Sequence, residues 1–158
     1  MSLKKQLQIS SLECIRPTAG VEICPLDRVV QSGNTIVEPP LLSHETTLVT
    51  IAPGTVEDLF VHHYQTDQLL VVQGSVVLVA LLDRQYQYIL LRGEQPTLVK
   101  IPPGVPHGAI NLSQKACVAI NSILRHGPVC DRDYRPVKKP FPYELSLVRE
   151  LLTGLSIK

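Results

Sequence analysis

Between Thr47 and Ile123 the chain runs as short segments rich in Val, Ile, Leu and Thr, each closed by glycine, proline or a polar turn. That cadence is the mark of an all-β barrel or sandwich, because no stretch there keeps a helical period long enough to pack as a helix. The candidate strands are Thr47 to Ile51, Asp58 to Tyr64, Gln68 to Val72, Ser75 to Leu82, Tyr86 to Leu91, Thr97 to Ile101, Gly108 to Leu112 and Ala116 to Leu124. Pro53-Gly54, Gly74, Asp83-Arg84, Gly93 and Pro102-Pro103-Gly104 punctuate them. Val76 to Leu82 and Tyr86 to Leu91 flank a short polar reversal at Asp83-Arg84, which predicts a hairpin and an antiparallel sheet.

The flanks differ from this core. Leu12 to Val37 holds weaker strand patches around Val21 to Cys24 and Thr35 to Val37, interrupted by Pro17, Gly20, Pro25 and Gly33 and followed by Pro39-Pro40, so edge strands and loops are expected over 10–40. Past a charged, proline-rich stretch from Asp131 to Pro142, Glu144 to Leu155 carries Leu145, Val148, Leu151, Leu152 and Leu155 at spacings of three and four. One apolar stripe predicts an amphipathic helix over about 143–155 that lies on the protein's own core. With 158 residues the chain is long enough to bury a core without staples, so a single domain with its barrel at about 44–125 is expected.

Charge and cysteines narrow the function classes. A formal net charge of +1, with Lys138-Lys139 as the nearest thing to a basic run, gives no footprint for a nucleic-acid backbone. Cys14, Cys24, Cys117 and Cys130 form no C-x-x-C pair, and reduced thiols are the simpler expectation. Lys4 and Lys5 are followed by no apolar run, and nowhere do 18 apolar residues pass uninterrupted, so a soluble, cytoplasmic protein without a membrane partner is expected.

Histidines gather beside two turns. The first stretch runs from Gly54 through His62-His63-Tyr64-Gln65-Thr66-Asp67-Gln68 to Gly74, and the second from Gly93 through Pro103-Gly104-Val105-Pro106-His107 to Asn111. Together they resemble the two motifs of the cupin superfamily. Pro102-x-Gly104-x-x-His107-x-x-x-Asn111 fits P-x-G-x-x-H-x-x-x-N in full, whereas the first motif has Val61 at its first histidine position and Asp67 at its acidic one. The resemblance spans about Gly54 to Asn121 and implies a double-stranded β-helix, a jelly-roll barrel whose mouth binds a small molecule, in a chain that forms homodimers through its N-terminal strands.

Within that superfamily, His63-Tyr64-Gln65, Gly74, Asp83-Arg84 and Gly104-Val105-Pro106-His107-Gly108 resemble the dTDP-4-dehydrorhamnose 3,5-epimerase group. That resemblance makes His63 the base that removes a proton next to a ketone, a task suited to imidazole because it titrates near neutral pH. His63 and His107 are therefore the candidate catalytic residues, with Tyr64, Gln65, Gln68 and Asn111 beside them as candidate substrate-binding residues. Three family features have no counterpart in the motifs. Phe60 replaces a phosphate-binding arginine, Ala116 to Leu124 holds no tyrosine to serve as acid, and only Asp131 and Asp133 are local candidates for the carboxylate that orients the base.

A second reading is metallic, with one divalent transition metal as cofactor instead of none. Adjacent strand residues face opposite ways, so strand parity offers His63, Asp67 and His107 as one ligand set, and His62, Tyr64, Gln68 and His107 as the other. The candidate classes are thus a carbohydrate or small-polar-metabolite isomerase or epimerase, a metal-dependent dioxygenase or isomerase, and a non-catalytic sensor with the same pocket.

Overall fold

The structure, a computed structural model, describes residues 5–37 and 42–154. Pro39-Pro40, Lys4 and the helix position Leu155 lie outside the described residues. Among the described residues thirteen strands are present: β1 (Gln8–Leu12), β2 (Ile15–Thr18), β3 (Val21–Ile23), β4 (Arg28–Gln31), β5 (Asn34–Val37), β6 (Glu45–Ile51), β7 (Thr55–Val56), β8 (Gln65–Gln73), β9 (Ser75–Leu82), β10 (Gln85–Arg92), β11 (Thr97–Ile101), β12 (His107–Asn111) and β13 (Cys117–Arg125). A 3₁₀ turn at Asp131–Tyr134 and one helix, α1 (Leu145–Thr153), complete the elements among the described residues.

All strand pairings are antiparallel. One sheet has the order β5-β4-β1-β11-β8-β13-β6, a second β10-β9-β12-β7, and β2-β3 form a separate hairpin. Period-two alternation lets the two larger sheets bury a shared core. Val71, Val99, Ile101, Cys117 and Ala119 come from the seven-stranded sheet, and Val76, Leu78, Ala80, Leu91 and Ala109 from the four-stranded one. The opposite face of β9 and β12 presents Val77, Val79 and Ile110 to Val148 of α1, with Leu145, Leu151 and Leu152 around them. Each such aliphatic side chain withdrawn from water contributes roughly 1.5–3 kcal/mol, which explains why the helix stripe is used on its own chain.

The turn at Asp83-Arg84 joins Leu82 directly to its partner Gln85, with both turn residues at positive φ (49° and 63°), the mirror-image turn whose twist matches the strands. Gly74 closes the β8–β9 connection at φ 76°, where a Cβ would stand 2.5 Å from the Ala116 carbonyl oxygen, so no side chain fits.

Three expectations are corrected. The N-terminal strands are not all edges: β1 lies between β4 and β11 and β4 between β5 and β1 inside the large sheet, which leaves β5 and the two strands of the β2-β3 hairpin as edges. Asp58 to Tyr64 is no strand. Its backbone instead pairs through single bridges, Leu59 with Val137 and Phe60 with His107. The His62 and Tyr64 carbonyls accept the Gly104 and His126 N–H groups at 2.7 Å each. Finally, Cys14 and Cys24 are joined in a disulfide. The pairing of Ile15 with Ile23 places these two cysteines directly opposite each other at the ends of the β2-β3 hairpin, a proximity that the ten-residue separation hides.

Candidate active site

β8 sends Asp67 and Leu69 inward, β12 contributes His107 and Ala109, and β13 contributes Asn121. The irregular stretch 57–62 and the 3₁₀ turn wall the rest of a cavity of about 320 Å³ between the sheets. Apolar lining from Val49, Ile51, Phe60, Leu78 and Ile101 surrounds a compact polar cluster.

At its centre Asp67 is 3% exposed. Its Oδ1 accepts from Gln65 Nε2 and from Asn121 Nδ2, both at 2.9 Å, and Arg125 Nη1 in turn donates to Gln65 Oε1 at 2.9 Å. The carboxylate is therefore fixed through one oxygen. Oδ2 has no hydrogen-bond partner, and it faces His62 Nε2 at 3.5 Å and His107 Nε2 at 3.6 Å. The two imidazole rings stand 5.2 Å apart, centre to centre. His107 Nδ1 donates to the Val105 carbonyl at 2.9 Å, which leaves its Nε2 as a lone pair turned toward Asp67. A lone pair facing a carboxylate oxygen is repulsive unless a cation or a donor from a ligand sits between them. His62, Asp67 and His107 can thus hold one divalent ion with open positions, in the two-histidine, one-carboxylate pattern.

Burial is the largest influence on His107 and lowers its pKa; the Val105 carbonyl and Asp67 oppose it, and His62 adds to the lowering. A depressed imidazole makes the folded state release a proton that the unfolded chain still binds. Stability is then fully present above the unfolded value of about 6.5 and is lost as pH falls through the folded one. In chelator-treated protein the urea midpoint is expected to fall below about pH 6.5, with a slope of at most about 1.4 kcal/mol per pH unit from this proton. The slope should flatten in His107→Gln, and an identical slope in that variant would refute the assignment.

His63 stands apart from this cluster. Its Nδ1 donates to Asp133 Oδ1 at 2.6 Å and its backbone N–H to the same oxygen at 3.1 Å. Its side chain is 38% exposed, while that of Asp133 is 4% exposed and helps to line the cavity together with Tyr134. Burial raises the Asp133 carboxyl, but the side-chain and backbone hydrogen bonds from His63 and the charges of both histidines outweigh it and hold the group below its ordinary value.

Both parity sets therefore differ from the cluster observed: the metal set expected with His63 contains His62 instead, and the alternative set loses Tyr64 and Gln68. Parity fails because residues 61–64 are not strand, and the chain bends between His62 and the start of β8. The expected substrate-binding residues also lie elsewhere. Tyr64 is exposed and its ring lies against Gly127, and Gln65 supports Asp67 from behind. Gln68 Nε2 donates to the Leu42 and Ser122 carbonyls on the outer face of the sheet. Asn111 Nδ2 donates to the Ile51 and Lys115 carbonyls while its Oδ1 accepts from Ser113, so it pins the β12–β13 turn. Asn121, Glu57, Asp133 and Tyr134 are pocket residues that motif matching passes over. Inward parity with Cys117 and Ala119 on β13 is the one sequence signal that could have found Asn121.

No family model and no curated protein matches the chain. Solved structures do. It is similar to QdtA, a sugar 3,4-ketoisomerase from Thermoanaerobacterium thermosaccharolyticum solved in complex with TDP, at 13% identity and TM-score 0.60 over 80% of this chain and 85% of that one. A dTDP sugar isomerase from Desulfovibrio desulfuricans G20 matches at 19% identity and TM-score 0.60 over 88% and 91%. The dTDP-4-dehydrorhamnose 3,5-epimerase of Sulfolobus tokodaii matches at 17% and 0.52 over 83% and 87%. These likenesses show the fold: the antiparallel jelly-roll barrel of those sugar isomerases and that epimerase, followed here by a C-terminal helix.

Proposed function

We propose that this cupin-fold chain binds a small polyhydroxylated carbonyl compound between its sheets and moves a proton on the carbon next to the carbonyl, as an isomerase or epimerase of the carbohydrate class. The observation that carries this reading is the 2.6 Å hydrogen bond from His63 to Asp133, the orienting carboxylate that no motif could assign. With its proton on Nδ1 and held by Asp133, His63 offers Nε2 as the general base, and the carboxylate stabilises the imidazolium formed when the proton arrives. Tyr134 supplies a hydroxyl at the same wall, on an element other than the strand where resemblance would seek it. His107, kept neutral, accepts a hydrogen bond from a substrate hydroxyl.

The substrate is held without a phosphate clamp. Among the described residues lining the cavity there is no Lys or Arg, while Glu57, Asp67 and Asp133 are all acidic. A pyrophosphate there would meet like charge, so free keto-sugars fit better than nucleotide-linked ones. Solvent deuterium uptake by a keto-sugar at the carbon next to the carbonyl tests the reaction class. A pocket that binds such sugars with no exchange would identify a sensor.

The unpartnered Asp67 Oδ2 favours a second reading, a metal-dependent isomerase or dioxygenase. The residues fit a divalent ion: His62, Asp67 and His107 would hold it, and when bound it would polarise a carbonyl or hydroxyl oxygen. Asn121, Gln65 and Arg125 would keep the carboxylate in place.

The proposal includes a homodimer. A cross-strand row of Leu48, Ile120, Leu70 and Leu98 runs over the outer face of the large sheet. Leu98 and Leu70 pack with the β2-β3 hairpin cysteines, but Leu48 is 72% exposed. A second copy of this chain covers the bare end. Leu48→Asp is expected to weaken the dimer by about tenfold or more, read as monomer in light scattering, because a charge would enter an apolar interface. A monomeric parent protein would refute it. No helix among the described residues is long and apolar enough to cross a membrane. A cytoplasmic location completes the reading; the free Cys117 and Cys130 suit it, and the Cys14–Cys24 bond runs against it.

A further inference from the structure

We propose that His63, Cys130 and Asp133 form a second metal site, of the zinc class, outside the pocket cluster. One donor atom from each of these side chains lies within 4.8 Å of the others. Cys130 is the residue before the 3₁₀ turn and Asp133 closes its first turn, with the Asp133 N–H donating to the Cys130 carbonyl at 2.9 Å. A C-x-x-D spacing on a tight turn therefore sends thiol and carboxylate to one side, where His63 meets them from the bend before β8.

The donor set is selective. Sulfur, imidazole nitrogen and one carboxylate oxygen suit Zn²⁺ and exclude the hard ions that take oxygen alone. Coordinated thiolate and carboxylate carry two negative charges, which balance a dication. The thiol proton leaves to solvent, the imidazole stays neutral, and water takes the fourth position. Cys130 is half-buried and its thiol makes no hydrogen bond among the described residues, so no interaction must break to free its sulfur, and the exposed edge of His63 gives the ion an entry path. In a tetrahedral site with bonds of about 2.0 Å, ligand atoms stand about 3.3 Å apart, so the His63–Asp133 pair must open by well under 1 Å.

A metal here would occupy the same histidine that serves as base, so zinc would inhibit the enzyme. That consequence rests on the function proposed above, but the binding itself does not. Co²⁺ is the probe, because thiolate coordination gives it a charge-transfer absorption that nitrogen and oxygen ligands lack. Cys117 is buried in the core and Cys14 and Cys24 are bonded to each other, so in unreduced protein that absorption reports Cys130.

The expected result is a cobalt–thiolate band in the parent protein, abolished by one equivalent of Zn²⁺, retained in His62→Ala and lost in Cys130→Ser. Zinc affinity at this site should fall in Cys130→Ser by more than the roughly 10- to 100-fold that loss of a ligand's supporting hydrogen bond costs, because a ligand itself is removed. No band in the parent, or a band that survives in Cys130→Ser, overturns the site. Should Cys130→Ser fail to fold, Cys130→Ala is read the same way. If the band forms and zinc leaves proton exchange unaffected, the metal site stands and His63 is not the base.

Discussion

His63→Ala lowers the rate of proton exchange on a keto-sugar by about 10²- to 10⁴-fold, the usual contribution of a positioned general base. A base acts on the proton only in the transition state, so KM is expected to change little while kcat falls. Asp133→Asn should follow the same pattern. An amide at that position no longer stabilises the imidazolium and can donate toward Nδ1, which favours the tautomer with the proton on Nε2. Steady-state rates with both variants check this. Equal loss in KM and kcat from His63→Ala, or full activity in Asp133→Asn, would remove the pair from the chemistry.

Asp67→Ala is the second large effect. If the pocket cluster is a metal centre, Cys130→Ser protein purified without a histidine tag or chelators should carry close to one transition metal per chain, and adding Asp67→Ala should lose essentially all of it. The carboxylate is the only anionic donor of the three, and its loss leaves two neutral imidazoles. Asn121→Ala frees Asp67 on one side and should weaken the metal about 10- to 100-fold, as removal of a ligand's supporting hydrogen bond does. Elemental mass spectrometry gives the readout. Unchanged metal in Asp67→Ala would place the ion elsewhere.

Much of the fold was legible because alternation and turn residues act locally. Ser75 to Leu82 and Thr97 to Ile101 match β9 and β11, and the Asp83-Arg84 reversal is the observed turn. α1 ends two residues earlier than expected because Gly154 takes the left-handed conformation at its C-terminus, φ 67°. The failures occur where tertiary contacts replace local ladders. Asp58 to Tyr64 has the composition of a strand, yet its carbonyls and amides are taken by residues 104, 107, 126 and 137, and the bend that results puts His62 in place of His63 beside Asp67.

The site was half legible for a similar reason. His107 and Asp67 stand in motif positions on strands, so their inward direction followed from the sequence. Asp133 and Tyr134 enter from a charged, proline-rich connection that carries no periodicity, and only the folded chain shows that Asp133 reaches a histidine 70 residues earlier. Gln68 and Asn111 lie in the two histidine-bearing stretches and still serve the backbone, because sequence adjacency does not say which face a side chain takes.

The most direct measurement is deuterium uptake from D₂O by free and nucleotide-linked keto-sugars incubated with the parent protein, followed by NMR. Uptake at a single carbon next to the carbonyl, faster for free sugars and lost in His63→Ala, is the predicted result. Absence of uptake across the whole panel, in protein with and without added metal, or uptake that persists in His63→Ala, would contradict proton transfer by the His63–Asp133 pair.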